Sequence, residues 1–175
     1  MYKINDYVIY KREVCVVKDL KKINNQDYYT LENKEDTSLK ISIPVSQETQ
    51  LLRHLATFDE ISNTLDHIND IPTLNINERN LEEQYKLLLQ GTTIENLIKI
   101  IKTAYIRNEI RKRKPDEPRE SHRKNNHKHL SDTDTSYQEL AEQFLFNEIA
   151  YAMNISYDAA KELVFNKLVN IVDLK

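Results

Sequence analysis

The stretch YKINDYVIYKREVCVVKDL, Tyr2–Leu20, carries two short runs of β-branched and aromatic residues, Tyr7-Val8-Ile9-Tyr10 and Val14-Cys15-Val16-Val17. Such side chains suit a pleated, half-buried surface. Lys11-Arg12-Glu13 between them is too polar to stay buried. The pattern therefore asks for a turn there, although no glycine, proline or Asn-Gly pair marks it. Working outward, Tyr28-Tyr29-Thr30-Leu31 and Leu39-Lys40-Ile41-Ser42-Ile43 are further strand-like runs, separated by Asn24-Asn25-Gln26-Asp27 and Asn33-Lys34-Glu35-Asp36. Leu39, Ile41 and Ile43 alternate with Lys40 and Ser42, the mark of a strand with one wet face. Pro44 lacks an N–H and ends the ladder. Residues 1–45 thus read as a small β module, a strongly bent sheet or open barrel.

After Pro44 the period changes. Residues 46–56 form a junction in which Leu51, Leu52 and Leu55 suggest a short helix. From 57 to 175 the pattern is helical. Thr57 with Asp59 and Glu60 opens a helix that presents Phe58, Ile61, Leu65 and Ile68, and Pro72 breaks it. A helix over 77–90 presents Leu81, Tyr85, Leu88 and Leu89, with Gly91 as its expected left-handed C-cap. Thr92 and Glu95 form a potential capping box for the next helix, whose buried side carries Leu97, Ile98, Ile101, Tyr105 and Ile106. Residues 111–130 are almost devoid of apolar side chains and hold Pro115 and Pro118, so a polar basic loop is expected there. Helix resumes at Ser131 with Leu140, Phe144, Leu145, Glu148 and Ile149. A last helix follows Ser156, with Ala160, Leu163, Val164 and Leu168 inside. The class is α+β, a β module followed by an all-helical one.

Composition narrows the function. With 175 residues, 39% hydrophobic, the chain can bury a core. A net charge of −3 is not that of a protein that coats nucleic acid. P-loops and dinucleotide fingerprints need several glycines so that backbone N–H groups approach a phosphate; Gly91 stands alone. The lone cysteine, Cys15, cannot form an internal disulfide, which suits a reducing compartment. The first residues lack the apolar core of a signal peptide and no segment reaches a membrane-spanning length. A cytoplasmic protein is expected, with no membrane partner.

The order of these elements, with particular residues, resembles the CarD-like (CarD/CdnL) family of bacterial RNA-polymerase-binding transcription regulators, whose β module is shared with transcription-repair coupling factors. Tyr2-Lys3-Ile4-Asn5-Asp6-Tyr7-Val8-Ile9-Tyr10 is similar to the family opening, and Tyr28-Tyr29-Thr30-Leu31 to its Tyr-Tyr-Leu strand. Ile43-Pro44 with Arg53 and Leu55 matches its Val-Pro and Arg-Leu. Leu88-Leu89-Gln90-Gly91, Leu130-Ser131 and Glu148-Ile149-Ala150 follow in the family's order. The resemblance implies a Tudor-like β module docking on the polymerase β subunit. It also implies a helical module touching promoter DNA near the upstream edge of the transcription bubble, modulating open-complex formation or stability. It further implies that Asn77, two positions before Arg79, occupies the place of the family's minor-groove tryptophan; this chain has no tryptophan. An asparagine can hydrogen-bond but is no apolar wedge.

Candidate sites follow. A small sheet has edges that accept a strand from another protein. Lys21, Lys22, Lys40 and Ser42 flank the candidate strands and are the expected polymerase contacts, though edge lysines also serve simply to protect and solubilise. Arg107, Arg111 and Arg113 belong to a basic run, with Lys99, Lys102, Lys112 and Lys114, of the kind that neutralises phosphates. With Asn77 and Arg79 they form the expected DNA-binding set. A solvated charged loop is the plainer reading of that run. His122, His127 and His129 lack a cysteine or carboxylate at ligand spacing, so no metal is expected. Cys15 has no histidine partner and no carboxylate pair is singled out for acid–base work. A non-enzymatic protein without cofactor or small-molecule substrate is the reading. The alternatives are a polymerase-binding or other protein-interaction adaptor that does not contact DNA, and an RNA-binding protein using the basic segment.

Overall fold

The computed structural model describes the backbone of residues 1–75, 80–91, 93–113 and 121–172; the side chains of 111–113, 121–131 and 169–172 are outside that description. The chain begins with β1 (Tyr7–Tyr10), β2 (Glu13–Ile23), β3 (Gln26–Asn33) and β4 (Lys40–Pro44). A 3-10 turn (Val45–Gln47), a short α1 (Glu48–Leu51) and β5 (Leu52–His54) complete this part. The strands form one antiparallel sheet in the order β4-β3-β2-β1-β5. It is open, with β4 and β5 as its edges, so the bent sheet and not a closed barrel is realised. The second edge comes from the expected junction. Leu52 pairs with Tyr10 and Arg53 with Ile9, so the sheet runs through His54, past residue 45. Leucine spacing alone reads as helix here; the vacant side of β1 recruits the backbone as strand instead.

The β1–β2 and β2–β3 turns are each two residues long and left-handed, with positive φ at Lys11 (48°), Arg12 (81°), Asn24 (50°) and Asn25 (64°). Positive φ at both central residues is what a tight hairpin compatible with strand twist needs. Asparagine adopts it readily, whereas Lys11 and Arg12 do so against their preference. Arg12 is compensated, since its guanidinium lies over the Phe144 ring at 5.2 Å.

The unbroken apolar run in β2 now has a physical reason. Val8, Cys15, Val17, Tyr29, Leu31, Ile43 and Leu52 form a core on one face of the sheet. Ile9, Val14 and Val16, which alternate with them, are buried as well. On that side lies the long helix described next: Tyr7 stacks on Tyr151 at 5.7 Å and Lys34 sits over the same ring.

The helices are α2 (Phe58–Asp66), α3 (Leu81–Gln90), α4 (Ile94–Arg113), α5 (Ser121–Met153) and α6 (Tyr157–Val172). Their shared core includes Ile61, Leu65, Tyr85, Ile98, Ile101, Phe146, Ile149 and Val164. Thr57 and Glu60 form a complete capping box at α2, and the Ser156 hydroxyl caps α6 through the Ala159 N–H. At α4 it is Thr93 whose hydroxyl accepts the Asn96 N–H; Thr92 is outside the described residues. Gly91 is not left-handed (φ −74°, ψ −10°). It provides room instead, because a Cβ would run into the Asn96 side-chain amide that donates to Leu88 O. The left-handed helix end occurs at Asn154 (φ 53°), where the Ile155 N–H reaches back to Ala150 O at 3.0 Å. Helix also starts ten residues earlier than the expected Ser131: α5 begins at Ser121, so residues 121–130 are helical and not loop. No proline or glycine follows Pro118 before its end, leaving nothing to break it.

Candidate partner-binding surfaces

Among the described residues β4 pairs only with β3, so one side of the sheet presents an edge of backbone N–H and C=O groups. Lys40 and Ser42 are exposed on that strand, opposite Glu32 and Thr30 of β3. Lys18, displaced outward at the bulge between Val17 and Asp19, bonds Glu32 at 3.2 Å and extends this polar row. Lys21 and Lys22 lie on the far end of the β2–β3 hairpin, opposite Tyr28 and Asp27. Lys21 pairs with Asp19 at 3.3 Å and both lysines are exposed. The structure thus places the four expected polymerase contacts in two groups, an edge pair and a hairpin-end pair. Sequence reasoning passed over Leu20 and Ile23 and read Leu39 as an apolar strand position; all three are exposed large apolar residues of these strands and their approaches. Their signal was an apolar residue among charges, easily read as core.

The module is tied down around Glu48. The Tyr29 hydroxyl donates to Glu48 at 2.5 Å and accepts the Tyr2 N–H, while the N-terminal ammonium pairs with Glu48 at 3.0 Å. Burial, then the bond to Glu48, pushes the Tyr29 phenol up to about 12. The Tyr29 bond, then that to the ammonium, lowers the Glu48 carboxyl below its usual range. Cys15 is buried and burial raises its thiol to about 11, the opposite of a nucleophile's activation.

The expected DNA contacts are dispersed. Asn77 and Arg79 lie outside the described residues. Arg111 and Arg113 are in the last turn of α4, and their side chains are outside the description, as are those of His122, His127 and His129. Arg107 is a structural residue: its Nε donates to Asp134 at 2.9 Å, its side chain is only 10% exposed, and Tyr85 donates to the other Asp134 oxygen at 3.1 Å. Lys102 is buried too, its ammonium donating to the carbonyls of Ile68, Asn69 and Ile71 in the segment that follows α2. These two basic residues hold helices together, an outcome that charge counting along α4 cannot foresee. No cluster of metal-ligating side chains occurs among the described residues, and no described helix is long and apolar enough to cross a membrane.

An open antiparallel sheet with an exposed β4 edge, packed on a helical bundle, is suited to docking a partner strand. Residues 2–56 match the family model described as CarD-like/TRCF RID domain, consistent with a CarD-like protein. The match ends just beyond β5, where the sheet ends. Domains of this family bind the RNA polymerase β subunit, which points to a regulator acting through polymerase contact. No curated protein matches the chain.

Proposed function

We propose that this protein is a non-enzymatic bacterial transcription regulator, cytoplasmic, that docks on the RNA polymerase β subunit through its sheet and contacts promoter DNA through its helical module. The observation that carries the reading is the family match over residues 2–56 together with the exposed β4 edge. Strand addition at Lys40–Pro44 supplies main-chain hydrogen bonds, and Lys40, Ser42, Lys21 and Lys22 supply side-chain selectivity. For DNA, Asn77, Arg79, Arg111 and Arg113 are the contacts; Arg107 positions α4 against α5 through Asp134. Binding shifts the closed-to-open promoter equilibrium only by as much as it differs between the two states.

The DNA arm is tested by open-complex lifetime on one promoter with competitor DNA. Asn77→Trp lengthens it by restoring an apolar wedge, and Asn77→Ala changes it little. A Trp variant that behaves like the parent while polymerase binding persists favours the adaptor that uses no DNA.

A further inference from the structure

A cleft of about 900 Å³ opens where the sheet meets the end of α5 and the start of α6. It lies apart from the β4 edge and was invisible in the sequence, because its walls come from β1, the β3–β4 turn and two helices. Its aromatic side is built by Tyr7 and Tyr151, stacked at 5.7 Å, and by Tyr157, which meets Phe146 edge-on at 5.6 Å. Tyr7 and Tyr157 keep 41% and 40% of their surface in water, large aromatic areas left open to a ligand. Glu35, from the β3–β4 turn, and Glu139, from α5, also line the cleft and both are exposed. The lining also holds amides, Gln143 and Asn147 among them, and no lysine, arginine or histidine.

Tyrosine faces carry negative quadrupole charge, so rings and carboxylates act together on a cation. The Tyr151 ring already accepts one from this chain, with Lys34 Nζ 5.9 Å from its centre. After burial, the largest cause, Glu35 is the next that raises the Tyr151 phenol, and it acts on Tyr157 as well. Glu35 and Glu139 are the charged residues of the lining, so the cleft favours a cation, and Lys34 takes the Tyr151 ring while Tyr7 and Tyr157 stay open to solvent. A phosphate-bearing ligand is disfavoured there. A guanidinium is favoured, because it is planar enough to stack on a ring and forked enough to bridge to a carboxylate. The volume exceeds what one such group fills and accommodates the adjoining backbone of an extended chain.

We propose that this cleft binds an arginine-bearing segment of a partner protein, with the guanidinium stacked on Tyr7 or Tyr157 and paired to Glu35 or Glu139. It is a second protein-binding site, independent of the polymerase reading.

The test uses the full chain and a short acetylated, amidated Gly-Arg-Gly-Arg-Gly peptide, followed by tyrosine-ring chemical shifts and by calorimetry. Saturable binding that moves Tyr7 and Tyr157 is expected. Replacing arginine by citrulline, which keeps shape and loses charge, removes it. Glu35→Gln with Glu139→Gln weakens it about tenfold, the order of one lost charge-assisted contact. Both positions are exposed, so an unchanged thermal midpoint confirms that the fold is kept. Equal binding of the citrulline peptide, indifference to the double substitution, or spermidine binding in preference to the peptide each overturns the proposal, as does a lack of saturable binding.

Discussion

Arg53 and Glu148 are joined by two parallel bonds, Nη1 to Oε1 at 2.5 Å and Nη2 to Oε2 at 2.6 Å, across 95 positions of sequence. Glu148 also accepts the Ala56 N–H at 3.1 Å and is 1% exposed. One partner belongs to β5, the sheet edge, and the other to the buried face of α5. The two modules are thereby locked at a fixed angle. A bidentate guanidinium–carboxylate pair specifies direction as well as distance. Removing one member leaves the other charge stranded, so Arg53→Ala costs about 3 kcal/mol. Replacing both by leucine costs much less than the sum of the single changes. A double-mutant cycle in urea measures this coupling.

Arg107→Ala lowers stability by about 3 kcal/mol because buried Asp134 loses the Arg107 guanidinium. Arg111→Ala and Arg113→Ala flatten the salt dependence of DNA binding with the fold intact. Comparing the unfolding midpoints of the three single variants with their salt slopes separates the structural arginine from the phosphate contacts.

Alkaline pH weakens the sheet module through Tyr29. The unfolded phenol ionises near 10 and the folded one at about 12, so the folded state keeps its proton longer. The stabilisation is complete below the unfolded value and is lost as pH rises through the folded one. Tyr29→Phe reduces the drop in urea midpoint between pH about 9 and about 11.5. Equal slopes for parent and variant would remove Tyr29 as the cause.

Lys11→Asn stabilises the protein by up to about 1 kcal/mol, since asparagine adopts the positive φ of the first hairpin at lower cost. Thermal unfolding measures it. Arg12 is the poorer choice for substitution because its guanidinium covers Phe144.

Much of this fold was legible before any coordinates. Alternation over Ile41–Ile43, the helix opening at Thr57 and the cap at Ser156 are local signals that the structure carries, whereas Leu39 falls outside β4 and is exposed. What failed was non-local. Leu52–His54 become a strand because β1 offers an unpaired side, and Gly91 ends α3 without a left-handed φ, its bare Cα leaving room for the Asn96 amide. The sites divide in the same way. Lys40 and Ser42 could be placed on a wet strand face, whereas the burial of Lys102 and Arg107 depends on α2 and α5 closing over α4. Arg53 and Glu148 stood in separate sequence motifs, and nothing along the chain announced that they would meet.

The central claim is that the sheet docks on the polymerase β subunit through β4. The most direct measurement is equilibrium binding of the full chain to purified β subunit, for the parent and for Lys40→Glu with Ser42→Glu. Both positions are exposed, so circular dichroism and the unfolding midpoint confirm an unchanged fold. Saturable binding by the parent, weakened at least about tenfold by the edge substitutions, is the predicted result. No binding by the parent, or equal binding by the edge variant, would contradict it.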